Sequence, residues 1–368
     1  MTENITIRPA NISDTDALID FYIKAYGDKT IFQDKTFLYH YFKSFDDRKE
    51  VFGNNVIAVN TDNKIVSHYG GLSYNLMVNG NKYPFTWSVN AYTLPEWRGK
   101  SLNSKLVNHV LDESVVVGVI GFTIKTAQFY NDLGYNTFEF NRFSRHILVI
   151  DAESTNNIIN SISSGINIDI KPVALDLNSL NEKVINIDDI SFGSLEFNLH
   201  ESLDKITTTC RDKKFIKWRF IDNPYLSYKI LAYKVGDIVK AYSAYRIIDL
   251  GNARIIRVVD LFGERVGAKR ILLKLNSIAN SNGISYIDFP ALGSLYNDVL
   301  SQMGYKTYTE DQYVIFPQVF DPVEKRPNNE HLFLFSKKDE ELVSKLCVDN
   351  VFFTLMDSDR DRVGKIKQ

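Results

Sequence analysis

The chain repeats itself. An alternating segment near its start, Ile5-Thr6-Ile7-Arg8-Pro9, returns as Ile168-Asp169-Ile170-Lys171-Pro172. Phe129-Tyr130-Asn131-Asp132-Leu133-Gly134-Tyr135 returns as Leu295-Tyr296-Asn297-Asp298 and then Met303-Gly304-Tyr305. The intervening patterns recur in the same order. In the first half, apolar spacing predicts helices over 14–26 and 35–45, strands over 55–59 and 64–78 around an Asp62-Asn63 turn, and a further strand over 82–94. A helix over 101–113, a buried strand over 115–122, a short helix over 126–133 and strand character over 137–150 complete it. The second half offers a helix over 180–190, a hairpin around Gly236-Asp237, a central strand over 253–262, a long helix over 267–280 and a strand over 284–289.

Two copies of one mixed β/α unit suit 368 residues better than one large domain. The expected fold class is therefore α/β, with two tandem domains, each a twisted mixed sheet flanked by helices. The expected boundaries are a first domain over 1–150, a linker over 151–167 rich in Asn and Ser, a second domain over 168–320 and a C-terminal extension over 321–368.

Lysine and arginine number 43 against 45 aspartates and glutamates, a net charge of -2, so no excess of positive charge exists to hold a nucleic acid. The N-terminus lacks a basic and then apolar leader, and the apolar runs are far shorter than the ~20 residues a bilayer requires. A cytoplasmic protein is expected, without membrane span or nucleic-acid partner, and the sequence leaves a homodimer open. Cys210 and Cys347 cannot build a disulfide framework, and no His, Cys, Asp or Glu cluster has metal-ligand spacing.

The segment richest in chemistry runs from Tyr92 and Thr93 through Arg98, Gly99 and Lys100 to Ser101, Leu102 and Asn103. A strand ends, a basic loop turns, and an amphipathic helix begins. The first N–H groups of a helix lack intrahelical partners and sit at the positive end of its dipole, which favours a bound anion such as a pyrophosphate. Arg98 and Lys100 add charge, and Gly99 permits close backbone approach. Gly99-Lys100-Ser101 is not the end of a nucleotide P-loop, because the glycine required five residues before Gly99 is Leu94.

The loop resembles the coenzyme A pyrophosphate loop of the GNAT acyltransferase superfamily, in which Gln or Arg is followed by two residues, Gly or Ala, one residue, and Gly or Ala. Arg98 and Gly99 fit, while Ser101 and Asn103 stand where the family prefers Gly or Ala. Phe129-Tyr130 with Gly134-Tyr135 is similar to the family's Phe-Tyr-x-x-x-Gly-Phe helix. The resemblance implies acyl-coenzyme A as co-substrate, with no tightly bound cofactor, held by Tyr92, Thr93, Arg98, Gly99, Lys100, Ser101, Leu102 and Asn103. It implies Tyr130 as the proton donor to the departing thiolate, and strand backbone near Val89 to Ala91 along the pantetheine arm. The corresponding second-copy loop, Leu261 to Gly267, lacks the Arg-Gly-Lys cluster, so the coenzyme is expected in the first copy alone.

Base candidates are Glu96, beside the loop, and His68, early in its strand. Asp260 and Asp288 on second-copy strands, and Arg219 in Trp218-Arg219-Phe220, are the expected substrate-binding residues. That last stretch, with Asn223-Pro224 and the tail 357–362, resembles tandem GNAT proteins of bacterial surface-polysaccharide synthesis, which implies an amino group on a nucleotide-linked deoxysugar as acceptor. Two rivals stand beside this reading. A peptidoglycan-type aminoacyl transferase would draw on charged transfer RNA, but no heptad run marks the coiled-coil insertion such enzymes carry. A non-catalytic binding module would follow from the departures at Ser101 and Asn103.

Overall fold

The computed structural model describes residues 4–42, 51–121, 124–134, 136–162, 183–308, 316–317, 323, 331–336 and 339–366. They form two compact units. The first comprises Met1–Asn141, His331–Leu346 and Val363–Gln368, and the second comprises Arg142–Glu330 and Cys347–Arg362. Each is built on a mixed sheet flanked by helices.

In the first unit, strands β1 (Thr6–Asn11), β2 (Val51–Val59), β3 (Ile65–Val78) and β4 (Asn81–Thr93) pair antiparallel in succession. β5 (Val116–Ile120) then lies parallel to β4, with Phe85 to Trp87 opposite Val116 to Gly118. A parallel neighbour needs a crossover, and α3 (Leu102–Glu113) provides it, burying Leu102, Leu106, Val107, Val110 and Leu111 along one stripe. α1 (Thr15–Tyr26) buries Leu18, Phe21 and Tyr22 at the spacing expected, α2 (Lys35–Tyr41) follows, and α4 (Ile124–Asp132) comes after β5.

The second unit contains β7 (Ser144–Val149), β8 (Val184–Ile187), short strands β9 (Glu196–Phe197) and β10 (Thr208–Thr209), β11 (Lys229–Val235), β12 (Ile238–Leu250), β13 (Ala253–Gly263), β14 (Tyr286–Leu292), β15 (Lys306–Tyr308) and β17 (Phe353–Thr354). Its helices are α5 (Ala152–Asn160), α6 (Asp189–Ser194), α7 (Lys213–Ile216), α8 (Arg265–Ser281) and α9 (Asn297–Gln302). β11 and β12 form the expected hairpin, β12 and β13 pair antiparallel, and α8 carries the chain to β14, parallel to β13. The plan of the first unit recurs: a meander, then a crossover helix, then a parallel strand.

The two copies exchange their last strands. The first sheet runs β1-β2-β3-β4-β5-β16-β6, where β6 is Asn136–Arg142 and β16 is His331–Ser336, from the far end of the chain. The second sheet runs β15-β7-β14-β13-β12-β11-β8. β7 follows β6 in sequence yet sits between β14 and β15, and β16, which follows β15, sits between β5 and β6. The strand expected over 137–150 is thus two strands in different sheets.

The stretch taken as a linker holds α5, capped by the Asp151 carboxylate accepting from Ser154 N at 3.1 Å. Ile158 and Ile159 of α5 pack into the core with Ile147, Ile255, Tyr286 and Phe316. The helix expected over 180–190 is, in its described part, strand β8 followed by the start of α6. Val184, Ile185 and Ile187 are β-branched and pair with β11 rather than winding. The second-copy echo at Ile168 to Pro172 lies outside the described residues.

Candidate active site

The basic loop folds into a concave turn of backbone. Pro95–Trp97 makes one 3-10 turn, and Trp97 anchors it in the protein. Gly99 and Ser101 then take left-handed conformations, φ 79° and 55°. Leu102, 3% exposed, pins the first turn of α3. Arg98 itself is extended and donates its N–H to Pro95 O at 3.2 Å, so the chain reverses sharply between the 3-10 turn and α3. Arg98 and Lys100 are exposed. The Arg98 guanidinium lies 5.4 Å from the Tyr92 ring centroid and donates through Nε to Thr93 O at 3.2 Å, while the Lys100 ammonium lies 4.1 Å from the Trp97 ring. Each cation rests on an aromatic face with its charge at the surface. Thr93 Oγ1 is bonded to Ser67 Oγ at 2.7 Å, and Asn103 is half-buried one residue into the helix. Loop and helix start bring the predicted coenzyme residues together. Glu96 sits exposed on the 3-10 turn.

Upstream, β4 carries a bulge. His68 is opposite Tyr92 and Gly70 opposite Val89, so Asn90 and Ala91 share the single partner Tyr69. Asn90 is left-handed, φ 51°, and its side-chain Nδ2 is buried with no hydrogen-bond partner among the described residues. Gly70 is required here, since a Cβ would overlap Val89 O. The parallel β4–β5 pairing ends at Trp87 and Gly118, just before the bulge, so the edge of β4 from Ser88 onwards turns away from β5. Neither Tyr69 nor Asn90 was legible as a site residue. Their one signal is Gly70-Gly71, small residues within an otherwise bulky strand.

Tyr130 on α4 is 3% exposed, stacks on Phe335 with ring centroids 4.1 Å apart, and bonds its hydroxyl to that of Tyr69 at 2.9 Å.

His68 is no base. It is fully buried, and burial holds its pKa at about 3, so the imidazole is neutral. Asn55 Nδ2 donates to Phe52 O at 2.6 Å and to Gly71 O at 2.9 Å, which leaves Asn55 Oδ1 as an acceptor. His68 Nε2 therefore donates to it at 3.0 Å, and Nδ1 accepts from the Tyr22 hydroxyl at 3.0 Å. The ring is a structural bridge between α1, β2 and β3. The same burial makes stability depend on acid. A histidine whose folded pKa is depressed adds stability that is complete above the unfolded value of 6.5 and is lost as pH falls towards 3. Chemical denaturation between pH 7 and 4 is expected to show stability falling with pH, with a shallower fall in His68→Gln.

The side chains expected to bind the acceptor are turned into the second unit's core. Asp260 is fully buried, accepts from Arg211 Nε at 3.0 Å and from the Tyr242 hydroxyl, and receives Thr354 Oγ1 at 2.9 Å. Asp288 is fully buried between Arg145 and Arg257, which hold its carboxyl below the usual range against the opposing cost of burial. Arg219 donates through Nη2 to Asp361 O at 3.0 Å, fastening the tail, whose Asp361 also accepts from Arg246 Nε at 3.1 Å and the Tyr228 hydroxyl at 2.7 Å. Such charges are tolerated in a core because each has a hydrogen-bonded partner.

In the second unit, the tail fills the place corresponding to the β4–β5 divergence. The parallel β13–β14 pairing ends at Arg257 and Asp288, and farther along β14, Ala291 and Leu292 pair with Thr354 and Phe353 of β17. Phe352 lies 6.2 Å from the Phe262 ring and 5.2 Å from Tyr296. Tyr296, the echo of Tyr130, donates to Gly263 O at 2.5 Å. In the loop before α8, Glu264 N donates to Lys240 O at 2.9 Å.

Residues 6–138 match the family model of the Acetyltransferase (GNAT) domain. No curated protein matches the chain. Among solved structures, a GCN5-related N-acetyltransferase from Kribbella flavida superposes with a TM-score of 0.56 at 13% identity, over 92% of this chain and 72% of that one. A conserved protein of unknown function from Enterococcus faecalis V583, a probable N-acyltransferase, superposes with a TM-score of 0.55 at 10% identity, over 92% and 74%. Saccharomyces cerevisiae N-myristoyltransferase with bound myristoyl-CoA gives 0.51 at 9% identity, over 100% and 86%. At these identities, the likeness is one of fold. The domain match places a GNAT acetyltransferase domain over residues 6–138.

Proposed function

We propose that the chain transfers an acyl group from acyl-coenzyme A to a primary amine, and that the coenzyme binds the first unit alone. The observation that carries this reading is the left-handed turn at Gly99 and Ser101, flanked by exposed Arg98 and Lys100 at the head of α3. There the pyrophosphate would meet backbone N–H groups, the helix dipole and two cations together. The β4 edge from Val89 to Ala91, where pairing to β5 has ended, would take the pantetheine arm and polarise the thioester carbonyl. One coenzyme per chain follows from the tail that fills the equivalent place in the second unit.

The amine nitrogen attacks the carbonyl carbon, the C–S bond breaks, and the sulfur leaves with the electron pair and takes a proton from the Tyr130 hydroxyl. Holding both reactants in place supplies about 7–11 kcal/mol of the acceleration. Glu96, exposed on the 3-10 turn, is the one predicted base still open to solvent. The preferred acceptor is the amino group of a nucleotide-linked deoxysugar, in surface polysaccharide synthesis within the cytoplasm. The support for it is the resemblance around Trp218 to Pro224 and the tail, both of which serve the second unit's core.

The test is thiol release from acetyl-coenzyme A in the presence of nucleotide-linked amino sugars, free amino sugars and peptide amines. The expected result is acceleration by the nucleotide-linked amino sugars above the others. Acceleration by peptide amines alone would overturn the acceptor class, and activity only with charged transfer RNA would overturn the donor.

A further inference from the structure

We infer that Tyr69 is a positioning residue for the acyl-transfer step, acting through Tyr130. The inference rests on the acyltransferase reading above. Tyr69 lies on β3 directly opposite the bulge of β4, at the point where the strand is distorted, and its side chain is fully buried. Its hydroxyl meets the Tyr130 hydroxyl at 2.9 Å, across 61 residues of sequence. The Tyr130 ring is fixed independently by its stack on Phe335. A stacked ring still leaves its O–H free to rotate about the C–O bond, and a partner hydroxyl decides where that hydrogen points. When Tyr69 donates to the Tyr130 oxygen, the Tyr130 hydrogen is directed away from Tyr69 and is available for transfer.

The same contact matters after transfer. The Tyr130 O–H bond breaks as the S–H bond forms, leaving a phenolate in a buried setting. An ionised oxygen with no donor there would be costly, and a hydrogen bond to it is stronger than one to a neutral hydroxyl. The Tyr69 O–H supplies that bond. The nitrogen loses its surplus proton to solvent, and the phenolate regains one from solvent, so the enzyme ends the cycle unchanged.

The experiment compares wild type, Tyr69→Phe, Tyr130→Phe and the double variant. It reads thiol release from acetyl-coenzyme A, with water or one fixed amine as acceptor, and thermal unfolding with coenzyme A. Removing a general acid is expected to lower kcat by about 100-fold in Tyr130→Phe. Loss of one hydrogen bond to the charged form is expected to lower kcat by roughly 10-fold in Tyr69→Phe, with KM for acetyl-coenzyme A unchanged and the unfolding temperature lowered no more than in Tyr130→Phe, since both variants lose the same buried bond. The double variant is expected to be no slower than Tyr130→Phe, because Tyr69 has nothing left to act through. Multiplying effects in the double variant, or a Tyr69→Phe change confined to KM or to stability, would overturn the inference. Full activity in Tyr130→Phe would overturn the proton-donor role itself, and a wild type with no release above the uncatalysed rate would overturn the acyltransferase reading.

Discussion

A chain ended at residue 150 is expected not to fold into a cooperative domain. By length and motif, that fragment looks complete, since it holds the basic loop, α3, β5 and the Tyr130 helix. It lacks β16, which lies between β5 and β6. Leu332, Phe333, Leu334 and Phe335 of that strand are all 1% exposed or less. Fully burying one such side chain is worth about 1.5–3 kcal/mol, and whole domains are stable by only ~5–15 kcal/mol. The fragment would also expose the β5 edge, whose Val117 to Ile120 pair with Leu332 to Phe335, an invitation to aggregate. The fragment also ends in β7, a strand of the other sheet. Circular dichroism and thermal unfolding of the fragment check this. A sharp transition in the soluble fragment would mean that β16 is dispensable. Appending residues 331–346 through a flexible linker is expected to restore the transition.

The sequence carried the local parts of this architecture and missed the exchange, for a physical reason. The run Leu332 to Phe335 is patterned as an apolar strand, but a strand's periodicity does not say which sheet accepts it. The duplication was legible because each copy needs the same crossover helix between parallel strands, which leaves the same apolar spacing twice. The strand-to-helix turn at the basic loop was legible because its glycine, its cations and the start of α3 lie close together in sequence. Asp260 and Asp288 misled because a carboxylate on a central strand demands a partner, and the partners lie far off in the chain. Arg145 is 143 residues from Asp288, and Arg211 is 49 from Asp260. His68 misled in the same way, with Tyr22 and Asn55 arriving from other elements. The tail shows a subtler limit. Ser358 adopts φ 66°, a left-handed conformation that favours glycine, and it is buried among residues that lock the tail down.

The coenzyme loop carries the second large effect, and it tests the central claim. Reversing the charge at Arg98 replaces an exposed cation with an anion at the mouth of a turn whose N–H groups would face a pyrophosphate. The substitution removes no buried contact: Arg98 is exposed, and its bond to Thr93 O lies at the surface. The unliganded variant should therefore unfold close to the wild-type temperature. A ligand at 100 times its Kd stabilises a protein by about 2.7 kcal/mol, so thermal unfolding with and without coenzyme A, on wild type and Arg98→Glu, reads the claim directly. The account predicts a clear upward shift in the wild type, with calorimetry giving one coenzyme per chain, and little or no shift in Arg98→Glu. No shift in the wild type, or an equal shift in both proteins, would contradict it.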